Sequence, residues 1–178
     1  MSVQNIDRRA QGHYLPYKRL IQRLGHQRWF SAIGRRLSPI DRGLYRLTGG
    51  RVGTTGMRVQ PTLLLTTIGR RTGKERTTPV MFLRDGNRFI VTCENFGQQR
   101  PAAWPLNLDA NPTARVQVGR ETFACHSRRV TDEELAGYWQ EFVEAWPPHE
   151  SYLKRSGVRH MFVLEQRSLG IESCTTQS

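Results

Sequence analysis

The residues best equipped for chemistry lie in the stretch TTIGRRTGKERTTP, Thr66 to Pro79, where Arg70, Arg71, Lys74 and Arg76 crowd around Gly69 and Gly73. Such a cluster suits a polyanion, because the planar arginine fork pairs with phosphate or carboxylate oxygens two at a time. A nucleoside-triphosphate loop is excluded on two counts. Three residues separate the glycines where four are needed, and Glu75 follows Lys74 where a Ser or Thr would have to hold magnesium. No helical pattern follows either, so the helix N-terminus that would greet a phosphate is missing. By itself, a solvated basic hairpin is the simplest account of such charge. Further along, Trp104 and Asn107 stand three residues apart and would share a helix face, although Trp104 alone is most simply a core aromatic.

Other chemistries lack their residues. Cys93, Cys125 and Cys174 are widely spaced, with no CxxC and no histidine at metal spacing, so neither a disulfide framework nor a metal site is expected, and a reducing cytoplasm is the default. The chain has 27 Lys and Arg against 15 Asp and Glu, a net charge of +12. That draws it toward phosphates, nucleic acid or an anionic membrane surface without choosing among them. A nucleic-acid binder would need basic residues interleaved with exposed aromatics on one surface; here arginine is spread throughout, so no nucleic acid is expected. No segment of signal-peptide length and no apolar run of about 18 residues is present, which predicts a protein that is soluble or lies on a surface.

The elements that must position the basic turn follow from periodicity. At 178 residues one globular domain is expected, residues 61–167, with a basic N-terminal extension at 1–60 and a flexible tail at 168–178. In the extension, Trp29, Ile33 and Leu37 recur at helical spacing. Ser38 and Pro39 then open a second short helix carrying Ile40, Leu44 and Leu47. With arginines on the remaining faces, residues 26–48 can lie in a membrane interface, bind an acidic partner or pack on their own domain.

From Thr62 the pattern is that of strands: TLLLTT, then TTPVMFLR and RFIVTC joined by Asp85, Gly86 and Asn87, then ARVQV and ETFACHS around Gly119, and finally HMFVLEQ. Val80 and Phe82 fall on one face and Met81 and Leu83 on the other, so the sheet must be covered on both sides or closed into a barrel. A short helix is expected between Pro101 and Pro112, and a long one after the capping box of Thr131 and Glu134, ending at Pro147. Antiparallel hairpins with few crossovers argue for a mainly β, α+β fold, a small barrel with helices on its rim.

The string from LLLTTIGRRTGKERTTPVMFLR through PAAWPLNLDANP, within Thr62 to Leu164, resembles the deazaflavin-dependent nitroreductase and quinone reductase family of split β-barrel proteins, which use coenzyme F420. The resemblance implies that Arg70, Arg71, Thr72 and Arg76 take the phosphate and polyglutamate tail of the cofactor. It places the ring against Thr78, Pro79 and Met81, against Thr92, Cys93, Glu94 and Asn95, and against Ala103, Trp104 and Asn107. A lid that carries tyrosines in the nitro-reducing branch corresponds here to Trp146, His149 and Tyr152, which implies substrate contact, with Tyr152 or His149 as the proton donor. Taken alone, His149 is an ordinary surface histidine. Asn95, Phe96 and Gly97 replace the family's glycine pair, so Phe96 is expected to narrow that rim.

The activity implied is hydride transfer from reduced F420 to a small-molecule electron acceptor, a planar quinone, enone or nitro compound. It implies an actinobacterial enzyme of the cytoplasm, peripheral at the inner face of the cell membrane if residues 26–48 touch lipid. Three alternatives stand beside it: a barrel that binds F420 or a lipid without turnover, an FMN-dependent reductase, and a nucleic-acid binder. The arginines favour the longer anionic tail of F420 over FMN. Monomer and homodimer are both compatible with the sequence.

Overall fold

The computed structural model describes residues 61–167 continuously, together with two short paired strands, β1 (Val52–Gly53) and β2 (Gly56–Met57). The amphipathic segment at 26–48 and the tail from 168 lie outside the described residues. Six further strands form the body: β3 (Thr62–Ile68), β4 (Glu75–Asp85), β5 (Arg88–Cys93), β6 (Thr113–Val118), β7 (Glu121–Arg129) and β8 (His160–Gln166). They close into an antiparallel barrel in the order β3-β4-β5-β8-β7-β6. Three helices accompany them: α1 (Ala103–Ala110), α2 (Asp132–Ala145) and α3 (Pro148–Ser156).

The alternation along each strand sorts side chains between the barrel interior and its outer face. Leu63, Leu65, Val80, Phe82, Phe89, Val91, Val116, Phe162 and Leu164 fill the interior, and Trp104 and Leu108 of α1 join them. On the outside, Leu83, Ile90, Met161 and Val163 form a second apolar patch, which α2 covers with Phe142, Leu135, Tyr138 and Trp139. The two apolar faces of β4 thus have two different partners, as the sequence pattern requires.

Helix α2 begins where its capping box predicts. Thr131 Oγ1 accepts from the Glu134 N–H at 3.3 Å, and Glu134 Oε2 accepts from the Thr131 N–H at 3.1 Å. Glu134 also takes two bonds from Arg128 of β7, each 2.8 Å, which ties the helix to the barrel wall. The Arg128 guanidinium, followed by the Thr131 N–H, holds the Glu134 carboxyl at about 2 instead of its ordinary 4.5. A carboxyl depressed on folding contributes stability that is present above its unfolded pKa and is lost as pH falls through its folded one. Thermal unfolding followed from pH 5 to 2 should therefore show the wild-type chain losing its advantage over Glu134→Gln across that window, with the two midpoints converging near pH 2.

Helix α3 has no counterpart in the sequence expectation, which ended the helical region at Pro147. Pro148 occupies the first turn of α3, Lys154 and Arg155 its last, and Gly157 closes it in the left-handed conformation at φ 69°. This extra helix decides the geometry of the site.

Candidate active site

The barrel is split between β4 and β5. Strand β4 pairs with β3 from Glu75 to Met81, but with β5 only from Phe82 to Asp85. Continuing that register would set Met81 opposite Thr92 and Val80 opposite Cys93, but the pairing with β4 ends at Val91, while on its other edge β5 stays paired with β8 along its whole length, Thr92 with Met161 and Cys93 with His160. Pro79, which has no N–H to donate to a ladder, lies on the strand edge where the two part. The lips of the split are therefore Thr78, Pro79 and Met81 on one side, half-buried, and Thr92, Cys93 and Glu94 on the other, buried, with Asn95 half-buried beyond them. The structure brings these seven sequence-assigned residues to one place. Burial pushes the Cys93 thiol up to about 12, so it stays neutral and is no nucleophile.

One side chain spans the split. His149, the second residue of α3, sets Nδ1 2.7 Å from Glu94 Oε2 and Nε2 3.4 Å from Met81 Sδ. Thr92 Oγ1 donates to the other oxygen of Glu94 at 2.5 Å. The His149 and Glu94 side chains are only 8% and 3% exposed. Trp139, Phe142 and Tyr152 wall the imidazole, with ring centroids 6.0, 5.7 and 6.1 Å away. The expectation of a surface histidine is thus corrected: α3 carries His149 inward over the split. Trp146 and Tyr152, the other two lid positions, are buried as well.

At the rim, Asn95, Phe96 and Gly97 form a single turn with φ of 45°, 55° and 77°, a left-handed run that Asn and Gly adopt readily and that is unusual for Phe96. Phe96 is 44% exposed and meets the Tyr152 ring edge-on at 5.9 Å. Arg155 holds the turn against α3, donating to the Phe96 carbonyl at 3.4 Å while its guanidinium stands 5.3 Å over the Tyr152 ring.

The basic turn joins β3 to β4 beside the same lip. The Gly69 N–H donates to the Lys74 carbonyl at 2.9 Å, and the Gly69 carbonyl accepts from Thr72 and Gly73. Gly73 needs its glycine for φ 66°, and a β-carbon at Gly69 would come within 3.0 Å of Thr72 Oγ1. Arg70, Arg71, Thr72, Lys74 and Arg76 are all exposed, and none of these cations makes an ion pair among the described residues.

Asn107 links this turn to α1. Its Nδ2 donates to Thr67 Oγ1 at 3.1 Å and its Oδ1 accepts from the Arg70 N–H at 3.2 Å, with the residue 2% exposed. The amide thus pins the helix to the end of β3. Trp104 lies in the barrel core, its ring 5.9 Å from Phe162, while Ala103 beside it is exposed. Trp104 and Asn107 are both buried, but each is held by different parts of the protein, Trp104 by the barrel core and Asn107 by Thr67 and the Arg70 N–H.

The arrangement fits a ligand with a flat ring and an anionic tail. A strand edge left without a ladder partner, carrying apolar and hydroxyl groups, can take the ring, and the exposed cations next to it can take the tail. Sequence reasoning named both halves of this surface and missed the pairing of Glu94 with His149, 55 residues apart, for which no local signal exists.

Comparison with known proteins agrees. The family model described as F420H(2)-dependent quinone reductase matches residues 39–166. An F420H(2)-dependent quinone reductase of Mycobacterium tuberculosis strain H37Rv is 34% identical over 116 residues, 64% of this chain and 78% of that one. A solved F420-H2 dependent reductase superposes with a TM-score of 0.54 at 30% identity, over 59% of this chain and 94% of that chain. A further solved relative, a domain-swapped dimer, superposes with a TM-score of 0.56 at 28% identity, over 72% of this chain and 100% of that one. This barrel with its exposed basic turn, matched over most of the chain's length by one family model, belongs to the F420H(2)-dependent quinone reductase family, oxidoreductases whose cofactor is coenzyme F420.

Proposed function

We propose that this protein reduces a planar acceptor, a quinone first among them and enones or nitro compounds in the same class, at the split between β4 and β5. The observation that carries the reading is the opening of the ladder beyond Phe82 and Val91, directly beside a turn whose cations are exposed. Bound F420H2 supplies a hydride, and the rest of the chemistry falls to the protein.

Arg70, Arg71, Thr72 and Arg76 hold the phosphate and polyglutamate tail. Thr78, Pro79 and Met81 on one lip and Thr92 to Asn95 on the other seat the ring, while Asn107 and Trp104 brace the helix beneath. Trp146, His149 and Tyr152 cover the acceptor and exclude water, which fixes acceptor and donor within transfer distance. His149 is the proton donor, because its two ring nitrogens reach both lips, Glu94 on one and Met81 on the other. The basic amphipathic segment at 26–48 would bring the enzyme to an anionic membrane surface, where apolar quinones collect.

Stopped-flow oxidation of F420H2 by menadione tests the reading. The wild-type chain should accelerate it strongly and bind F420 in preference to FMN. Tight F420 binding with no acceleration would leave a carrier protein in place of an enzyme.

A further inference from the structure

The buried row of Thr92, Glu94, His149 and Met81 asks for more than a packing explanation. A carboxylate and an imidazole are costly to desolvate, and an apolar pair of similar volume is often as stable or more so. Here both Glu94 oxygens are engaged, Oε1 by the Thr92 hydroxyl at 2.5 Å and Oε2 by His149 Nδ1 at 2.7 Å. An ionised carboxylate only accepts, so the hydrogen between Oε2 and Nδ1 belongs to the imidazole. The other ring nitrogen, Nε2, faces Met81 Sδ at 3.4 Å across the split. A thioether is a weak acceptor on a flexible, unbranched side chain. His149 is therefore held firmly on the β5 side and loosely on the β4 side.

The groups facing His149 are Glu94 from the end of β5, Met81 from β4, Trp139 and Phe142 from α2, and Tyr152 from α3 itself. Glu94 is the charged one among these contacts, and Arg155 stands beyond, over the Tyr152 ring. The environment thus selects one orientation of the imidazole and one charge to offset a second ring proton.

Resting on the F420-dependent reading, we propose that Glu94 is a positioning residue that holds His149 with Nε2–H aimed into the split, and that an acceptor carbonyl oxygen replaces the Met81 sulfur there. A quinone or enone takes up one hydride, supplied by the reduced deazaflavin, and one proton from His149. The Nε2–H bond breaks and an O–H bond forms. The acceptor is reduced by two electrons and the cofactor is oxidised by two, its remaining proton passing to solvent. The Nδ1–H stays on the ring and keeps donating to Glu94, the imidazole is left neutral, and solvent restores the proton on Nε2. Met81 then governs which acceptors fit, because its side chain must yield the position that the oxygen takes.

The test needs no cofactor for its first readout. In the 15N-labelled full chain at neutral pH, both ring nitrogens of His149 should carry protons, and Glu94→Gln should convert the ring to a neutral imidazole. In turnover with menadione, Glu94→Gln should lower kcat roughly 100-fold, within the range for a misplaced general acid. The loss in kcat should exceed any change in KM for F420H2, because a misplaced proton donor acts on the chemical step whereas the tail grip at the basic turn is untouched. A neutral His149 in the wild-type spectrum, or a Glu94→Gln chain with undiminished kcat, would overturn the assignment. Failure of the F420-dependent reading looks different: the wild-type chain would not oxidise F420H2 at all, while the ring-nitrogen result would still decide the role of Glu94. Should Glu94→Gln not fold, the wild-type spectrum alone decides it.

Discussion

Replacing Arg71 and Arg76 together by alanine should weaken F420 binding about 100-fold or more and leave a tail-less deazaflavin bound almost as before. Both side chains are exposed, neither is engaged by an acidic residue among the described ones, and both flank the turn that follows β3. A charge-assisted hydrogen bond to a phosphate or carboxylate contributes roughly 1.5 to 3 kcal/mol, or about ten-fold or more in affinity for each arginine. The fold should be unaffected, because surface substitutions away from buried partners change stability by about 0.5 kcal/mol or less. Fluorescence titration with F420 and with a deazaflavin lacking phosphate and glutamates separates the two effects. Equal losses for both ligands would place the turn elsewhere than at the tail. Raising the salt concentration should reproduce part of the effect in the wild-type chain, since exposed charges are screened.

Phe89→Ala should destabilise the barrel by about 3 to 5 kcal/mol, a large share of the roughly 5 to 15 kcal/mol that a domain possesses. Phe89 is 0% exposed and stands in the barrel interior, edge-on to Phe82 at 5.8 Å and tilted against Phe123 at 5.4 Å. Six strands converge on that interior, so the neighbours cannot collapse into the space without bending the ladder, and the cavity term adds to the lost transfer energy. Calorimetry should show a fall in Tm of roughly 10 to 25 °C for a domain of this size. Phe96→Ala is the control. That side chain is 44% exposed, and its removal should cost less than about 1 kcal/mol. Similar Tm losses for the two variants would contradict the assignment of Phe89 to the core and Phe96 to the rim.

Much of the fold was legible in local sequence. TLLLTT became β3, the Asp85-Gly86-Asn87 and Gly119 signals became the turns of two hairpins, and the capping box of Thr131 and Glu134 opens α2 at the expected residue. Each of these is carried by neighbours within a few positions, where period and turn chemistry speak directly. Helix α3 was missed for an equally local reason. Pro147 and Pro148 read as the end of α2, yet proline is as well suited to the first turn of a helix as to the residues after one. The acidic start, basic end and closing Gly157 were the signal available.

By itself the sequence determined the barrel, the basic turn that no P-loop chemistry can explain, and the two lips that carry Pro79 and Glu94. Only the tertiary structure decided how those lips are arranged. The ladder between β4 and β5 stops after Phe82 and Val91 while β5 stays paired with β8 on its other edge as far as Cys93, and no period along one strand records where its partner leaves. Burial statistics for histidine describe the residue type, whereas the position of His149 is set by α3 packing against the Asn95–Gly97 turn and α2. Glu94 and His149 meet at 2.7 Å across 55 residues because two elements fold onto one opening. A contact of that separation exists only once the chain has closed its barrel.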